Sequence, residues 1–209
     1  MLSAQEIANP RGWLPLARLP VPWWMRCMFV KTVILGAGAA GMMCAAHAGP
    51  DCLVIDHAKS PGEKIRISGG GRCNFTNLYV EPDNFLSDNP HFCKSALSRY
   101  TQWDFIELVS RHGIAYHEKT LGQLFCDHRS QDILDMLLAE ANAAGVQVKT
   151  RCEICEVSWE EDGDVFRLQT GLGEFRAGSL VVASGGLSVP TLGGSDFGYK
   201  LARQFGHNI

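Results

Sequence analysis

The stretch Gly36-Ala37-Gly38-Ala39-Ala40-Gly41 constrains this chain more than any other. It fits G-x-G-x-x-G, and its flanks give the spacing a mechanical meaning. Residues 29–35, FVKTVIL, form an apolar run that reads as a buried parallel strand. Residues 39–48, AAGMMCAAHA, are small and helix-favouring, and Gly49-Pro50 ends that helix. Residues 52–56, CLVID, read as a second buried strand, completing a right-handed β-α-β unit. In such a unit the first glycine permits the tight turn from strand to helix. The second leaves no Cβ between backbone and a pyrophosphate, and the third lets helix and strand pack closely. The helix N-terminus then presents free N–H groups and a partial positive charge to phosphate. Asp56 lies 20 residues after Gly36, where a carboxylate accepts from a ribose 2′-hydroxyl. Gly36 to Gly41, with Ala37, Ala39 and Ala40 between the glycines, together with Asp56 predict a dinucleotide site. The plain alternative is a glycine turn inside an ordinary β-α-β unit. An acid at position 56 disfavours a 2′-phosphate, and so NADP in this site.

The rest of the chain extends the same α/β plan. Residues 78–90 carry Pro82, Asp83, Asn84, Asp88, Asn89 and Pro90 and read as a loop. Residues 92–112 place Leu97, Tyr100, Trp103, Ile106 and Val109 near helical spacing, closed by Gly113. Residues 131–144 predict a further helix with Ser130 as N-cap and Gly145 as its stop. VQV then reads as a short strand. Residues 151–176 alternate as a β-meander with a hairpin turn at Asp162-Gly163. Residues 179–186, SLVVASGG, read as another buried strand running into glycines. The fingerprint stands at the start of the globular region, and the meander precedes the VVASGG strand. That layout favours FAD over NAD as the dinucleotide. The fold class expected is a Rossmann-like FAD-binding domain with a central parallel sheet and a β-meander.

A chain of 209 residues admits one or two domains. Hydrophobic residues make up 46% and charged residues 20%, which suits a packed core and not disorder. A net charge of −3 exerts no general pull toward nucleic acid or anionic lipid, although a local basic patch remains open. No apolar run reaches the ~18–20 residues a membrane span needs. The eight cysteines, two of them inside the apolar segments at Cys44 and Cys52, read as mostly buried thiols of a cytoplasmic protein. Residues 1–28 hold prolines and tryptophans without helical or strand period, and read as a poorly ordered leader rather than a signal peptide. The globular domain is expected over residues 29–209.

A second motif is more specific. In KIRISGGGRCNFTN, residues 64–77, three glycines run into Arg72-Cys73-Asn74, with Thr76 and Asn77 close behind. With VILGAGAAG before it and VVASGGLSVPTLGGSDFGYKLARQFGH after it, the chain resembles the BaiN-like bacterial NAD(P)/FAD-dependent oxidoreductases over residues 29–209. The resemblance implies that Gly69, Gly70 and Gly71 pass close to the FAD pyrophosphate and flavin, where backbone N–H groups approach without Cβ interference. It implies that Arg72 offers charge to the pyrophosphate or to the flavin edge. Asn74, Thr76 and Asn77 would donate to ring or ribitol oxygens, or else tie the loop together by local turn bonds. Lys64 and Ser68 lie on the approach. Ala183, Ser184, Gly185 and Gly186 suit close backbone approach again, and Ser184 stands where relatives often have Thr. The backbone near Ile154 is where relatives contact adenine. Phe125 and Cys126 replace a Phe-Pro common in the family.

Several other residues are weighed against plainer roles. Cys73 beside a flavin suggests a redox thiol, but no second cysteine lies near it in sequence, so a packed small side chain is expected. Cys152 and Cys155 form a C-x-x-C without a second pair, and read as structural thiols rather than a zinc site. His112 and His117 have no ligand-like partner in the sequence and read as ordinary. No metal is expected.

The resulting expectation is a flavoprotein oxidoreductase carrying FAD, with NAD(P)H as electron donor and a small unsaturated organic molecule as substrate. No catalytic acid or base is assigned, and oligomeric state is open. Two alternatives stand beside it. One is a catalytically incomplete FAD-domain fragment, since members of the family run to roughly twice this length and bring a substrate domain. The other is a flavin-dependent enzyme that modifies RNA bases; the near-neutral charge weakens a nucleic-acid partner without removing it.

Overall fold

The computed structural model describes residues 27–188 and 194–209. Strands β1 (Cys27–Leu35), β2 (Cys52–Ile55) and β6 (Gln147–Lys149) join β7 (Ile154–Glu160), β8 (Val165–Thr170) and β9 (Gly173–Val182) in one sheet of order β6-β2-β1-β9-β8-β7. The first four of that order run parallel, and β8 and β7 are antiparallel additions. This is the Rossmann-like arrangement the fingerprint requires. The sheet is covered on both sides. Ile34, Cys52 and Val54 pack with residues of helices α1 (Ala39–Ala48) and α5 (Gln131–Ala143), whereas Val33, Leu35, Leu53 and Ile55 share a second cluster with Val157, Leu168 and Phe175 of the meander and Leu201 of α6 (Phe197–Gln204). Val33, Ile34, Leu35, Leu53, Val54 and Ile55 are all buried, each contributing about 1.5–3 kcal/mol of transfer free energy.

Burial in β1 is confined to its C-terminal end. Phe29 stays 65% exposed, so the expected buried strand over residues 29–35 is buried only from Val33 onward. The strand also starts earlier than expected. Cys27 and Met28 pair with Glu174 and Phe175 of β9, so these two residues belong to the domain and not to a leader. Residues 1–26 lie outside the described residues. The meander's last strand and the SLVVASGG strand are likewise one element. β9 continues for 10 residues, pairing antiparallel with β8 at its start and parallel with β1 along its length, and its second half is partly exposed. The turn between β7 and β8 is wider than the expected two residues: a 3₁₀ turn over Glu161–Gly163 precedes Asp164 at φ 51°.

Helical expectations hold with two corrections. The single helix expected over residues 92–112 is two, α3 (Lys94–Arg99) and α4 (Gln102–Arg111). Thr101 breaks it, because its side chain accepts from the Asp104 N–H while the Asp104 carboxylate accepts the Thr101 N–H at 2.7 Å. This is a capping box, with its sequence signal in Thr101-x-x-Asp104. Ser130 precedes α5 as expected but does not cap it. Its hydroxyl donates instead to Arg66 O at 2.6 Å, tying α5 to helix α2 (Glu63–Ile67). A second, three-stranded antiparallel sheet was not expected: β3 (Asn74–Asn77), β5 (Gln123–Cys126) and β4 (Tyr116–Glu118), in the order β3-β5-β4.

Candidate functional site

The loop from β1 to α1 behaves as its three glycines demand. Gly36 has φ 110°, and a Cβ there would stand 2.5 Å from Ala183 O of the neighbouring strand end. A Cβ at Gly41 would stand 1.8 Å from Gly36 O, so helix and loop meet at glycine distance. At Gly38 nothing lies within 4 Å of the added carbon. That position is open space in front of the first turn of α1, whose N-terminus has no side-chain cap. Free N–H groups and open space together suit a pyrophosphate.

Asp56 sits at the end of β2 with both oxygens engaged. Oδ2 accepts the Ala37 N–H at 2.6 Å and Oδ1 accepts the Ala58 N–H at 2.8 Å. The carboxylate therefore ties the glycine loop to the turn after β2, and beside Gly36 it lines the space in front of the loop, with His57 Nδ1 3.5 Å from Oδ1. Two hollows adjoin here, of about 420 Å³ and about 870 Å³, sharing Gly36, Asp56, His57 and Ser184. The first runs under the N-terminus of α1. Gly38, Ala39, Ala40, Lys64, Ser68, Cys73, Asn74, Ala183 and Gly185 also line it, with Met43, Phe105 and Leu137 as an apolar wall. Ile154 lines the second hollow, beside Lys59, Arg151, Ser195 and Phe197.

The remaining predicted residues lie elsewhere. Ala37 and Gly41 are buried behind the loop, where Ala37 acts through its N–H. Gly69, Gly70, Gly71 and Arg72 do not line either hollow. The three glycines are needed for the turn itself: their φ values are 58°, 67° and 86°, and a Cβ at Gly69 would meet the Phe125 ring at 2.6 Å. Arg72 is exposed on the outer side of that turn. Thr76 lies within β3, opposite Leu124. Asn77 takes the local alternative: its Nδ2 donates to Leu121 O at 2.9 Å and its Oδ1 accepts from the Tyr79 N–H. Gly186 packs near the Tyr199 hydroxyl.

Lys64 is thus the ammonium of the first hollow, and its Nζ donates to Ser188 Oγ at 3.3 Å. Ser184 Oγ is buried and has no hydrogen-bond partner among the described residues. An orphaned hydroxyl, a bare glycine cradle and an uncapped helix end are what a bulky polar ligand such as a dinucleotide would complete.

Cys73 lies in the left-handed region at φ 49° and is buried at the edge of the first hollow. No cysteine lies near it in sequence, but one, Cys126, stands near it in space. The Cys126 N–H donates to Arg72 O at 2.9 Å, and burial, with the Cys73 sulfur adding to it, pushes the Cys126 thiol up to about 12. Burial also raises Cys73. Both remain protonated thiols at neutral pH, and the eight cysteines are all free. Cys152 is buried and Cys155 exposed, so they point apart. His112 and His117 are less ordinary than expected: His112 Nε2 meets Glu140 Oε1 and His117 Nδ1 meets Asp127 Oδ1, both at 2.6 Å. No group of three or more metal-ligating side chains occurs among the described residues. Nor is any helix there long and apolar enough to cross a membrane.

Sheet order, glycine loop and Asp56 define a Rossmann-type dinucleotide-fold domain. The chain belongs to the HI0933-like protein Rossmann domain family, which matches residues 30–209. It is 58% identical over 180 residues to the ribosomal RNA dihydrouridine synthase of Escherichia coli K12, covering 85% of this chain and 44% of that protein. It is 26% identical over 183 residues to a 3-dehydro-bile acid delta(4,6)-reductase of Clostridium scindens, covering 84% of this chain and 44% of that one. The chain thus spans about half the length of the curated relatives it matches. The fold is also that of a flavocytochrome c3 fumarate reductase, with a TM-score of 0.56 and 17% identity over 87% of this chain and 41% of the other.

Proposed function

We propose that this chain is the FAD-binding part of a flavoprotein that reduces a carbon–carbon double bond in an RNA base, converting uridine to dihydrouridine at the expense of NAD(P)H. The observation that carries the FAD site is the open cradle at Gly38, set between the uncapped N-terminus of α1 and the Asp56 carboxylate. The choice of RNA base rests on the 58% relative and its name.

FAD would supply the hydride chemistry, and the protein's part is to hold and orient it. The N–H groups at the start of α1 would receive the pyrophosphate, and Lys64 would add charge from the opposite lip. Asp56 has lone pairs left to accept from a ribose hydroxyl while its other contacts keep the glycine loop in shape. Ile154, which lines the second hollow, would lie against the adenine. Cys73, Asn74 and Ser68 would line the cofactor's path. The overall reaction balances as uridine plus NAD(P)H plus a proton giving dihydrouridine plus NAD(P)⁺.

A second reading keeps the same cofactor site and takes a small unsaturated molecule, as the name of the Clostridium scindens relative suggests for that protein. One experiment separates the two. The purified protein is examined for flavin absorbance. It is then supplied to a bacterial strain lacking its own ribosomal RNA dihydrouridine synthase, and dihydrouridine in the ribosomal RNA is measured. Restored dihydrouridine supports the RNA reading. A yellow protein with no restoration fits both the small-molecule reading and an FAD domain lacking its substrate part, and only NAD(P)H-dependent reduction of an unsaturated small molecule by that protein favours the former; a colourless protein overturns the FAD assignment.

A further inference from the structure

Arg72 raises the question that the cofactor cleft leaves unanswered. It is the charged residue that directly follows the three glycines, yet it lines neither hollow, is exposed, and makes no ion pair among the described residues. The turn it closes is bare. Gly69 and Gly70 are exposed, and a Cβ on Gly70 would find nothing within 4 Å. This turn is held rigidly from behind. The Cys126 N–H donates to Arg72 O at 2.9 Å and the Ser130 N–H donates to Gly71 O at 2.6 Å.

Those two bonds bring residues 127–129 alongside the turn. His128 and Arg129 are exposed there, and Arg129, 68% exposed, is paired with Asp132 through Nε alone. The nearest acid in that segment, Asp127, is held by His117 at 2.6 Å. Lys119 Nζ lies 5.1 Å above the Phe125 ring, the same ring that supports Gly69. The result is an exposed glycine turn edged by the guanidinium groups of Arg72 and Arg129, with exposed His128 beside Arg129, and the acids of that segment, Asp127 and Asp132, are engaged by His117 and Arg129, in a protein of net charge −3. The turn leads directly into the first hollow, because Cys73 and Asn74, the next two residues, line it.

We propose that this glycine turn is the docking surface for an RNA substrate, with Arg72, His128 and Arg129 on its phosphates; the inference rests on the RNA reading above. Guanidinium groups match phosphate geometry in two-point contacts. A surface of glycine lets a sugar-phosphate backbone approach closely. RNA bases are read where they are unstacked and splayed out. A strand docked on the turn would place such a base at the mouth of the cofactor cleft.

The test compares the flavin-loaded protein with its Arg72→Ala/Arg129→Ala variant, and with Lys31→Ala as a control on exposed β1. Binding to protein-free ribosomal RNA is measured by filter retention over a range of salt. The double variant should keep its flavin spectrum and melting temperature and bind about tenfold more weakly, with a log–log salt slope reduced by about 1.4 for two lost phosphate contacts. Lys31→Ala should bind as the unaltered protein does. Unchanged RNA affinity in the double variant overturns the inference, and so does loss of flavin, which would return Arg72 to the cofactor. Dihydrouridine formation by the unaltered protein is scored separately. If it forms while the double variant binds RNA normally, the docking surface fails and the proposed reaction stands.

Discussion

The backbone N–H of Ala37 donates to Asp56 Oδ2 at 2.6 Å, so the acid that ends β2 also shapes the loop that follows β1. With Oδ1 on the Ala58 N–H, one carboxylate satisfies two backbone donors in adjacent turns. Asp56→Ala should leave both unpaired and weaken FAD binding and folding together, each by about 1–3 kcal/mol. Flavin fluorescence titration and urea unfolding measure the two effects. Weakened binding with unchanged stability would mean that the loop holds its shape without the carboxylate.

Gly38 gives the opposite pattern. A side chain there meets no protein atom within 4 Å, and its backbone at φ −82°, ψ −170° is one any residue adopts. Gly38→Val should therefore fold normally and lose FAD. Equal melting temperatures with absent flavin absorbance are the expected pair of results; a Gly38→Val protein that purifies with full flavin would refute the cradle.

Gly41 is limited by packing rather than by ligand. Even the methyl of Gly41→Ala would press on Gly36 O, forcing α1 away from the loop. Overpacking of this kind costs about 1–3 kcal/mol, read as a lower urea midpoint at unchanged slope.

Glu174 supplies a pH dependence. Burial pushes its carboxyl up, but hydrogen bonds from Arg167 and Arg176 outweigh burial and hold it below the ordinary glutamate value. A lowered folded value contributes stability above the unfolded value, about 4.3, and loses it as pH falls through the folded one. Glu174→Gln should thus be less stable than the unaltered protein at pH 7, with the gap closing below about pH 4. A constant gap across thermal melts at both pH values would remove the carboxylate from the explanation.

Thiol labelling follows burial. Cys27 and Cys155 are exposed and should react with a disulfide reagent first. Burial pushes Cys52 up to about 11 and Cys126 up to about 12, so these should label only on unfolding. Mass spectrometry of partly labelled protein identifies the order.

The local sequence determined the dinucleotide unit. Strand, G-x-G-x-x-G, helix and a carboxylate 20 residues on are short-range features, and the structure assembles them in place with each glycine limited as its position requires. Helix α5 and the meander were also legible, because burial on one face leaves a period that can be read, and the short strand β6 was placed by the Gly145 stop that precedes it. Tertiary structure decided the rest. The glycine-rich stretch was recognisable as a motif, but nothing in it shows which of its side chains turn inward. That depends on β5, some 50 residues later, whose Phe125 and Cys126 hold the turn and leave Cys73 and Asn74 in the cleft with Arg72 outside. The three-stranded sheet was missed because its strands are only three or four residues long, too short for alternation to register, and are joined by pairing across distant segments. The Cys73–Cys126 neighbourhood and the His117–Asp127 pair arise from the same long-range pairing. Sequence spacing cannot encode such contacts, since they exist only once the strands lie side by side.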